Sequence, residues 1–334
     1  MIVVLPVDVT IRRVACILGL LSLLGSLQPL WAGERIDPEK FRGRITTSLG
    51  AKVTYYRTHP FNASYPSIRR AVIVVHGLSR TANGYFRATL ESAVADHKRV
   101  GTAIYAPRFQ IAEDNPRTDE HFWSGGWSQG HRSLDTKKIS SFQVIDEIYR
   151  RLADRRRFPG LQQIVLAGHS AGGQFVNRYA AGGKALTDKR LQLKFLVMNP
   201  STFLYLDRQR PVPGRAGRFA VPEGVEDFNR YKYGLDRLNH YMKARGIAAI
   251  TSTMMGRRVH YLGGTLDMGT KNLDQRPGAM AQGRNRFERW KNYRLYVTRF
   301  PRWRRQAVFQ AVPGIGHSGS RMFNSPAARA VLFH

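Results

Sequence analysis

The sequence predicts an α/β fold in which a mostly parallel central sheet is covered by helices on both faces. Short, continuous apolar runs such as residues 71–75 are typical of strands that are buried on both faces. Segments with apolar residues at helical spacing separate these runs, as in residues 140–152. A chain that repeats strand, loop and helix in this way forms parallel strands joined by crossover helices. In such sheets the reactive residues collect where the strands end.

The predicted elements follow one another in a regular order. Strands are predicted over residues 51–57, 71–75, 100–105, 164–167, 195–198, 259–262 and 306–312. The first of them alternates between apolar and polar residues, which is typical of an antiparallel strand, whereas the others are continuously apolar or nearly so. Helices are predicted over residues 84–96, 140–152, the segment that follows Ser170, and residues 287–300.

Residues 208–256 interrupt this alternation of strands and helices. They contain three prolines and an aromatic-rich stretch over residues 228–241. Because the strand pattern resumes at residue 259, we predict that residues 208–256 form a cap or lid insertion inside a single domain, which spans residues 33–334.

The first 32 residues are predicted to be a secretory signal peptide. Arg12 and Arg13 precede an apolar run over residues 14–24, and Leu30-Trp31-Ala32 resembles a cleavage site. The alternative is an uncleaved N-terminal anchor. The only cysteine, Cys16, lies in this segment, so the mature protein would have no disulfide and would depend on its core alone. We therefore expect an exported protein, either periplasmic or secreted.

The chain is strongly basic. It contains 53 Lys and Arg against 23 Asp and Glu, a formal charge of +30. The arginines are scattered, and no recognised nucleic-acid-binding module accompanies them, so we expect non-specific attraction to anionic envelope components and no specific nucleic-acid partner. No group of His, Cys, Asp or Glu has the spacing of metal ligands, and we predict neither a metal nor another cofactor.

One short segment predicts a catalytic centre. Gly168-His169-Ser170-Ala171-Gly172 follows a buried strand and precedes a helical segment, which is the G-x-S-x-G arrangement of a nucleophile elbow. The sharp turn requires small neighbours around the serine, and Gly168, Ala171 and Gly172 meet that requirement. The alternative is a glycine-rich turn in which Ser170 only caps the helix.

The remaining catalytic groups are expected after later strands. His317 lies in a glycine-rich loop after the final strand, and its imidazole suits proton transfer to and from a serine. Asp267 follows the strand over residues 259–262 and would orient that imidazole. Asp207 and Asp274 are the competing carboxylates. We predict Ser170, Asp267 and His317 as nucleophile, orienting acid and base.

An acyl-transfer centre also needs hydrogen-bond donors for the oxyanion. The backbone N–H of Ala171, next after the nucleophile, is one candidate. The second is expected in the loop after the strand over residues 71–75, where the N–H of Leu78 is preferred and that of Gly77 is the alternative. We expect His76 to fix this loop through a hydrogen bond rather than to transfer protons.

Four side chains are candidates for the wall of the substrate pocket. Trp123 and Trp127 lie among glycines in a long loop after a central strand, so they either line the pocket or form a packing patch. His76 and His169 are the other predicted pocket residues, because each lies beside a predicted catalytic segment. His169 cannot fold back to serve as the base for its neighbour Ser170.

With these residues in place, the chain resembles the α/β-hydrolase superfamily. The resemblance covers roughly residues 70–320 and rests on His76-Gly77, residues 168–172, Asp267 and His317 in that order. It implies a catalytic triad, an oxyanion hole of two amides and an acyl-enzyme intermediate. The chain lacks the His-Gly-Gly-Gly form of the oxyanion loop that one esterase group carries.

Three further segments are similar to a bacterial and fungal branch of this superfamily. They are residues 167–174, 199–202 and 231–235. Members of that branch are mostly of unassigned substrate, so the resemblance implies a reaction class without a substrate, as expected for a fold that hosts many functions.

The sequence therefore predicts an exported serine hydrolase that cleaves a small-molecule or polymer carboxylic ester through an acyl-enzyme intermediate. An amidase or peptidase would use the same triad and is the first alternative. The second is a non-catalytic protein that keeps a hydrolase scaffold and binds the cell envelope or nucleic acid. A further alternative, suggested by the high positive charge, is an acidic polymer as substrate.

Overall fold

The computed structural model describes residues 36–184 and 190–334. The predicted signal peptide, with Cys16, lies outside the described residues. Residues 37–334 form one compact unit. Within the described part of the chain, no helix has both the length and the apolar character needed to span a bilayer.

The core of the molecule is an eight-stranded sheet. Its strands are β1 (Arg42–Thr46), β2 (Lys52–Arg57), β3 (Arg70–Val75), β4 (Thr102–Pro107), β5 (Gln163–His169), β6 (Gln192–Met198), β9 (Val259–Gly264) and β10 (Ala307–Val312), with a separate two-residue hairpin of β7 (Arg210–Pro211) and β8 (Phe219–Ala220). The strand order is β1-β2-β4-β3-β5-β6-β9-β10. The pairs β1–β2 and β2–β4 are antiparallel, and all later pairs are parallel.

Helices cover both faces of this sheet. They are α1 (Ala82–Ala95), α2 (Ser141–Leu152), α3 (Ala171–Gly182), α4 (His240–Arg245), α5 (Ile247–Gly256), α6 (Pro277–Met280), α7 (Arg286–Thr298), α8 (Pro301–Gln306), α9 (Gly319–Phe323) and α10 (Pro326–Phe333). The predicted α/β class with a mostly parallel sheet is thus confirmed, and the predicted strands and helices are present with ends shifted by a few residues.

Local sequence explains where the main helices begin. The Ser140 hydroxyl accepts a hydrogen bond from the Phe142 N–H and caps α2, and Asn285 caps α7 through the Glu288 N–H. Phe142, Ile145 and Ile148 of α2 are fully buried in the hydrophobic core. Each such side chain contributes about 1.5–3 kcal/mol of burial free energy, so the apolar face of the helix fixes its orientation.

Residues 208–256 do not form one uniform insertion. They begin with the β7–β8 hairpin and end with α4 and α5. Helix α5 packs against α3 and α8, with Ile250 and Met254 fully buried. The end of the segment therefore packs as part of the layer that covers the sheet, and a cap role for residues 208–256 stays a prediction.

Strand register decides where the loops meet. In the parallel ladder, His169 lies beside Met198, and Met198 lies beside Leu262. Gly264 in turn lies beside Val312. The loops after β5, β6, β9 and β10 therefore leave the same edge of the sheet side by side, and these loops carry the candidate site.

Candidate active site

Ser170 occupies a strained turn between β5 and α3. Its backbone angles are φ 58° and ψ −119°, in a region that non-glycine residues rarely adopt. Its N–H donates to the Met198 carbonyl at 3.0 Å, which holds the turn against β6. A Cβ on Gly172 would overlap the carbonyls of Val75 and His76, so only glycine allows α3 to approach β3 this closely.

A continuous hydrogen-bond chain runs from Ser170 through His317 to Asp267. His317 Nε2 lies 2.9 Å from Ser170 Oγ, and His317 Nδ1 lies 2.7 Å from Asp267 Oδ2. Because a carboxylate oxygen accepts, Nδ1–H donates to Asp267 and Nε2 keeps its lone pair for the serine hydroxyl proton. The structure thus brings together the three residues that the sequence predicted as nucleophile, base and orienting acid.

The two competing carboxylates are engaged elsewhere. Asp274 lies 2.6 Å from the Lys232 ammonium and 2.8 Å from Arg276. Burial alone would raise the pKa of Asp274, but hydrogen bonds and charge from Arg276 and Lys232 outweigh burial and hold that pKa below its usual range. Asp207 accepts a hydrogen bond from the Gln209 N–H at 2.9 Å. Within residues 36–184 and 190–334, neither of the two is hydrogen-bonded to a histidine.

Two solved structures share this architecture over most of the chain. LpqC, a poly(3-hydroxybutyrate) depolymerase from Bordetella parapertussis, matches with a TM-score of 0.59 at 22% sequence identity, covering 86% of this chain and 88% of that chain. Poly(aspartic acid) hydrolase-1 from Sphingomonas sp. KT-1 matches with a TM-score of 0.61 at 20% identity, covering 88% and 98%. The chain has the α/β-hydrolase fold. No protein-family model matches the chain, and no curated protein matches it in sequence.

In this α/β-hydrolase fold, Asp267 is held by a buried arginine. The Arg286 Nη1 lies 3.5 Å from Asp267 Oδ1, and both side chains are almost completely buried. Arg286 also donates to the Lys271 carbonyl at 2.9 Å, which ties the loop after β9 to the start of α7. Burial lowers the pKa of Arg286, whereas the charge of Asp267 acts in the opposite direction. Arg286 thus provides positive charge beside Asp267 and fixes its position.

Asn199 links the loops that carry the acid and the base. Its Oδ1 accepts from the Gly264 N–H at 2.8 Å, and its Nδ2 donates to the Gly316 carbonyl at 3.1 Å. Asn199 has a φ of 44°, a left-handed conformation that asparagine tolerates better than most residues. One side chain therefore joins the end of β9 to the residue before His317.

His169 packs directly against the proposed base. Its ring centroid lies 4.8 Å from that of His317, and its Nδ1 lies 3.2 Å from the Tyr85 hydroxyl. Burial lowers the pKa of His169 well below its usual value, and the charges of His317 and Arg286 lower it further. His169 is therefore neutral at physiological pH, so it adds no charge beside His317.

His76 fixes the loop after β3. Its Nε2 accepts from the Phe109 N–H at 2.9 Å, so its Nδ1 carries the proton and donates to the Gly77 carbonyl at 2.9 Å. The side chain is completely buried, and burial lowers its pKa to about 4. Both ring nitrogens are used in structural hydrogen bonds, in agreement with the expected loop-fixing role.

The predicted pocket wall lies inside the protein. Trp123 and Trp127 are 0% and 1% exposed, and both pack against Phe109. His76 and His169 are buried as well. These four side chains therefore offer no surface for direct contact with a substrate in this structure. Of the two roles that the sequence allows for the tryptophans, their burial fits the packing patch.

Among the described residues, the two preferred oxyanion donors have no backbone acceptor. Across the described residues, the backbone N–H groups of Ala171 and Leu78 donate to no other backbone group. The Gly77 backbone, in contrast, forms a hydrogen bond with the Tyr85 hydroxyl. Burial raises the pKa of that hydroxyl to about 12, and the hydrogen bond from Gly77 acts in the opposite direction. The loop is closed by a hydrogen bond from the Arg80 N–H to the Gly77 carbonyl at 3.1 Å. The choice between Leu78 and Gly77 stays a prediction.

Sequence reasoning missed Arg286 and the bridging role of Asn199. A single arginine at the start of a helix has no spacing that distinguishes it from the many other arginines of this chain. Asn199 was visible only as part of the segment over residues 199–202, because its two hydrogen bonds join residues that are distant in sequence.

Proposed function

We propose that this protein is a serine hydrolase that cleaves carboxylic esters through a covalent acyl-enzyme. The observation that carries the proposal is the hydrogen-bond chain from Ser170 through His317 to Asp267, with the serine at a positive φ. That conformation costs of order 1–3 kcal/mol and persists only where the surrounding structure enforces it. A helix-capping serine has no need of it, and the Ser170 side chain makes no cap hydrogen bond.

The geometry supports a two-step reaction. Ser170 Oγ attacks the ester carbonyl while His317 Nε2 takes the hydroxyl proton, and Asp267 stabilises the imidazolium that forms. The N–H groups of Ala171 and Leu78 stabilise the oxyanion. The alcohol then leaves with the proton from His317. In the second step His317 takes a proton from a water molecule that attacks the acyl-enzyme. The bond between the acyl carbon and Ser170 Oγ then breaks, and His317 returns the proton to Ser170 as the acid is released.

Both similar structures are of hydrolases that act on polymers, one with ester links and one with amide links. One of the two similar structures is a depolymerase of poly(3-hydroxybutyrate), which is an ester polymer. The other is a hydrolase of poly(aspartic acid). A small-molecule or polymer ester is the proposed substrate class, and amide cleavage by the same residues is the alternative that the assay must separate.

Replacement of Ser170 tests the mechanism. Ser170→Ala should lower kcat on activated p-nitrophenyl esters by about 10³-fold or more, because the nucleophile is lost. Ser320→Ala, which removes a surface hydroxyl near the site, is the matched control and should keep full turnover. A fluorophosphonate probe should label the wild type at Ser170. Equal turnover in Ser170→Ala, or no labelling of a folded wild type, would favour the non-catalytic alternative, and faster turnover of p-nitroanilides than of esters would favour the amidase.

We also propose that the protein is exported. Support comes from Arg12 and Arg13, which precede the apolar run over residues 14–24. The intact mass of protein recovered outside the cytoplasm should match residues 33–334. Recovery of the full-length mass in the membrane fraction would support the uncleaved anchor instead.

A further inference from the structure

A second concave site lies on the molecule, away from Ser170. It is a cleft of about 800 Å³ between the loop that precedes α2, the exposed side of α2, and α4. Among the residues that line it are five lysine and arginine side chains and one histidine: Arg132, Lys137, Lys138, Arg150, Lys184 and His240. We refer to it as the basic cleft.

The loop that presents three of these cations is held rigidly. Arg132 and Ser140 form an isolated antiparallel bridge, and within it the Ser133 N–H donates to the Ile139 carbonyl at 2.7 Å. Asp135 faces the inside of the loop, where it accepts from the Lys137 N–H at 2.9 Å and lies 3.0 Å from His121. Its carboxylate therefore fixes the loop and leaves the ammonium groups of the two lysines free in the cleft.

Among the described residues, carboxylates balance only part of the positive charge of the basic cleft. In the described part of the chain, Lys137, Lys138 and Lys184 form no ion pair with a carboxylate. Arg150 has only Glu147, at 3.7 Å. The exposed ammonium groups of Lys137 and Lys138 therefore keep their charge for a ligand.

The one carboxylate that lines the cleft is already engaged. Asp146 accepts hydrogen bonds from the Tyr179 hydroxyl at 2.6 Å and the Lys184 N–H at 3.1 Å on one oxygen, and from the Tyr241 hydroxyl at 2.7 Å on the other. Its side chain is buried under the cleft floor. Asp146 therefore stabilises the floor; burial raises its pKa, whereas the charge of Lys184 acts in the opposite direction, so this carboxylate offsets part of the charge of Lys184.

Two basic side chains are also held against each other at the rim. The Arg132 Nη2 lies 2.6 Å from His240 Nε2, so the guanidinium donates to a ring nitrogen that must be unprotonated. The Arg132 guanidinium would both attract an anion beside this pair and donate a hydrogen bond to it.

The cleft is separated from the proposed catalytic centre. Ser170 precedes α3 and Lys184 follows its last residue, so the twelve-residue helix lies between them. At 1.5 Å per residue the helix alone spans about 18 Å. A ligand bound at Lys184 would therefore not contact Ser170.

We propose that the basic cleft binds a polyanion that carries several phosphate or carboxylate groups along one molecule. Several cations around a concave surface attract such a ligand more strongly than the same charges spread over a convex surface, because several of them contact it at once. The site needs no turnover at Ser170, so it would be present in the Ser170→Ala variant as well.

Binding of short inorganic polyphosphate, measured by calorimetry at moderate salt, tests this proposal. The triple variant Lys137→Gln, Lys138→Gln and Arg150→Gln should bind about tenfold or more weakly, whereas turnover of a short activated ester should be unchanged. Poly-L-glutamate is the second probe and distinguishes carboxylate from phosphate ligands. Whichever of the two polymers binds more tightly, a loss of affinity of about tenfold or more in the triple variant supports the site.

The control separates the cleft from the general charge of the protein. Arg302→Gln, Arg304→Gln and Arg305→Gln remove the same number of charges from the exposed side of α8 and should weaken binding by less than about twofold. An equal loss in both triple variants would show that the polyanion follows net charge alone and would overturn the proposal. Unaltered binding in the cleft variant would overturn it too.

Discussion

At the scale of single residues, the proposed triad depends on side chains that never contact the substrate. Asp267 is positioned by Arg286, and the loop of His317 is positioned by Asn199. A nucleophile and base held within hydrogen-bond reach need such support, since small displacements of reacting groups cost large factors in rate. Arg286 and Asn199 are therefore positioning residues.

Replacement of Asn199 should separate positioning from binding. Asn199→Ala removes hydrogen bonds to the Gly264 N–H and the Gly316 carbonyl and places alanine at a positive φ. We expect kcat to fall by about 10- to 100-fold with little change in KM, because the base is misplaced while ester binding is unaffected. Asn199→Asp keeps the acceptor for Gly264 but loses the donor to Gly316, so its kcat should lie between those of wild type and alanine variant. A change confined to KM would contradict the positioning role.

The buried His76 should make the fold sensitive to acid. An unfolded chain binds a proton on histidine near pH 6.5, but burial lowers the pKa of folded His76 to about 4. Between these values the unfolded state binds more protons, so the free energy of unfolding decreases as the pH falls below about 6.5. The loss from His76 should reach about 2 kcal/mol near pH 5.

Urea unfolding of wild type and His76→Gln near pH 7 and pH 5 measures this contribution. The variant should be less stable near neutral pH, because the hydrogen bond from the Phe109 N–H is altered. It should also lose about 2 kcal/mol less than wild type on acidification. His97→Asn, at an exposed position with a positive φ, is the control and should follow the wild-type pH dependence. Parallel pH curves for wild type and His76→Gln would contradict the explanation.

At the scale of elements, the elbow works because β5 and α3 approach the neighbouring strands without side chains between them. A Cβ on Gly172 would overlap backbone carbonyls of β3 and the residue after it, and backbone cannot rotate away as a side chain can. Gly172→Ala should therefore displace α3 and with it Ser170. We expect a loss of about 2–4 kcal/mol in the free energy of unfolding and a fall in turnover of more than about tenfold.

A glycine at which an added Cβ would make only ordinary van der Waals contacts provides the comparison. Gly84 lies in α1, where a Cβ added to it would have its nearest neighbouring atom 3.8 Å away. Gly84→Ala should leave turnover unchanged and should stabilise the protein by up to about 1 kcal/mol, since alanine is the better helix former. Thermal unfolding and ester turnover are measured for both variants. If Gly172→Ala were as stable and as active as Gly84→Ala, the proposed clash of a Cβ at residue 172 with the backbone carbonyls would be wrong.

The sequence patterns of strands and helices were enough to predict most of the fold and the three residues at the centre of the candidate site. Apolar runs placed the buried strands, and the rule that loops meet at strand ends was enough to select Ser170, Asp267 and His317. Strand β1 escaped prediction because only Ile45 of its five residues is buried, as is typical of an edge strand. The sequence leaves Trp123 and Trp127 open between a pocket wall and a packing patch, because a position in a loop does not determine the direction of a side chain. Arg286 was missed because its partner Asp267 is 19 residues away in the sequence.

At the scale of the whole molecule, positive charge is in large excess. The chain has a formal charge of +30. In most ion pairs among its described residues, at least one of the two side chains is exposed to solvent. Exposed pairs contribute little, typically up to about 1 kcal/mol each. The buried pair of Lys232 and Asp274, at 2.6 Å, is shielded from salt. Repulsion among the remaining cations should therefore govern how the folded state responds to ionic strength.

The unfolding temperature should accordingly rise when salt is added at low ionic strength. Increasing sodium chloride from about 10 mM to about 150 mM shortens the Debye length from about 30 Å to about 8 Å, which screens repulsion between surface cations across the molecule. We expect an increase of a few degrees, measured by calorimetry at neutral pH. The triple variant Arg302→Gln, Arg304→Gln and Arg305→Gln should start from a higher unfolding temperature at low salt and gain less from added salt, because part of the repulsion is already gone. A fall in the unfolding temperature of the wild type with salt would mean instead that attractive ion pairs dominate the electrostatic free energy of the fold.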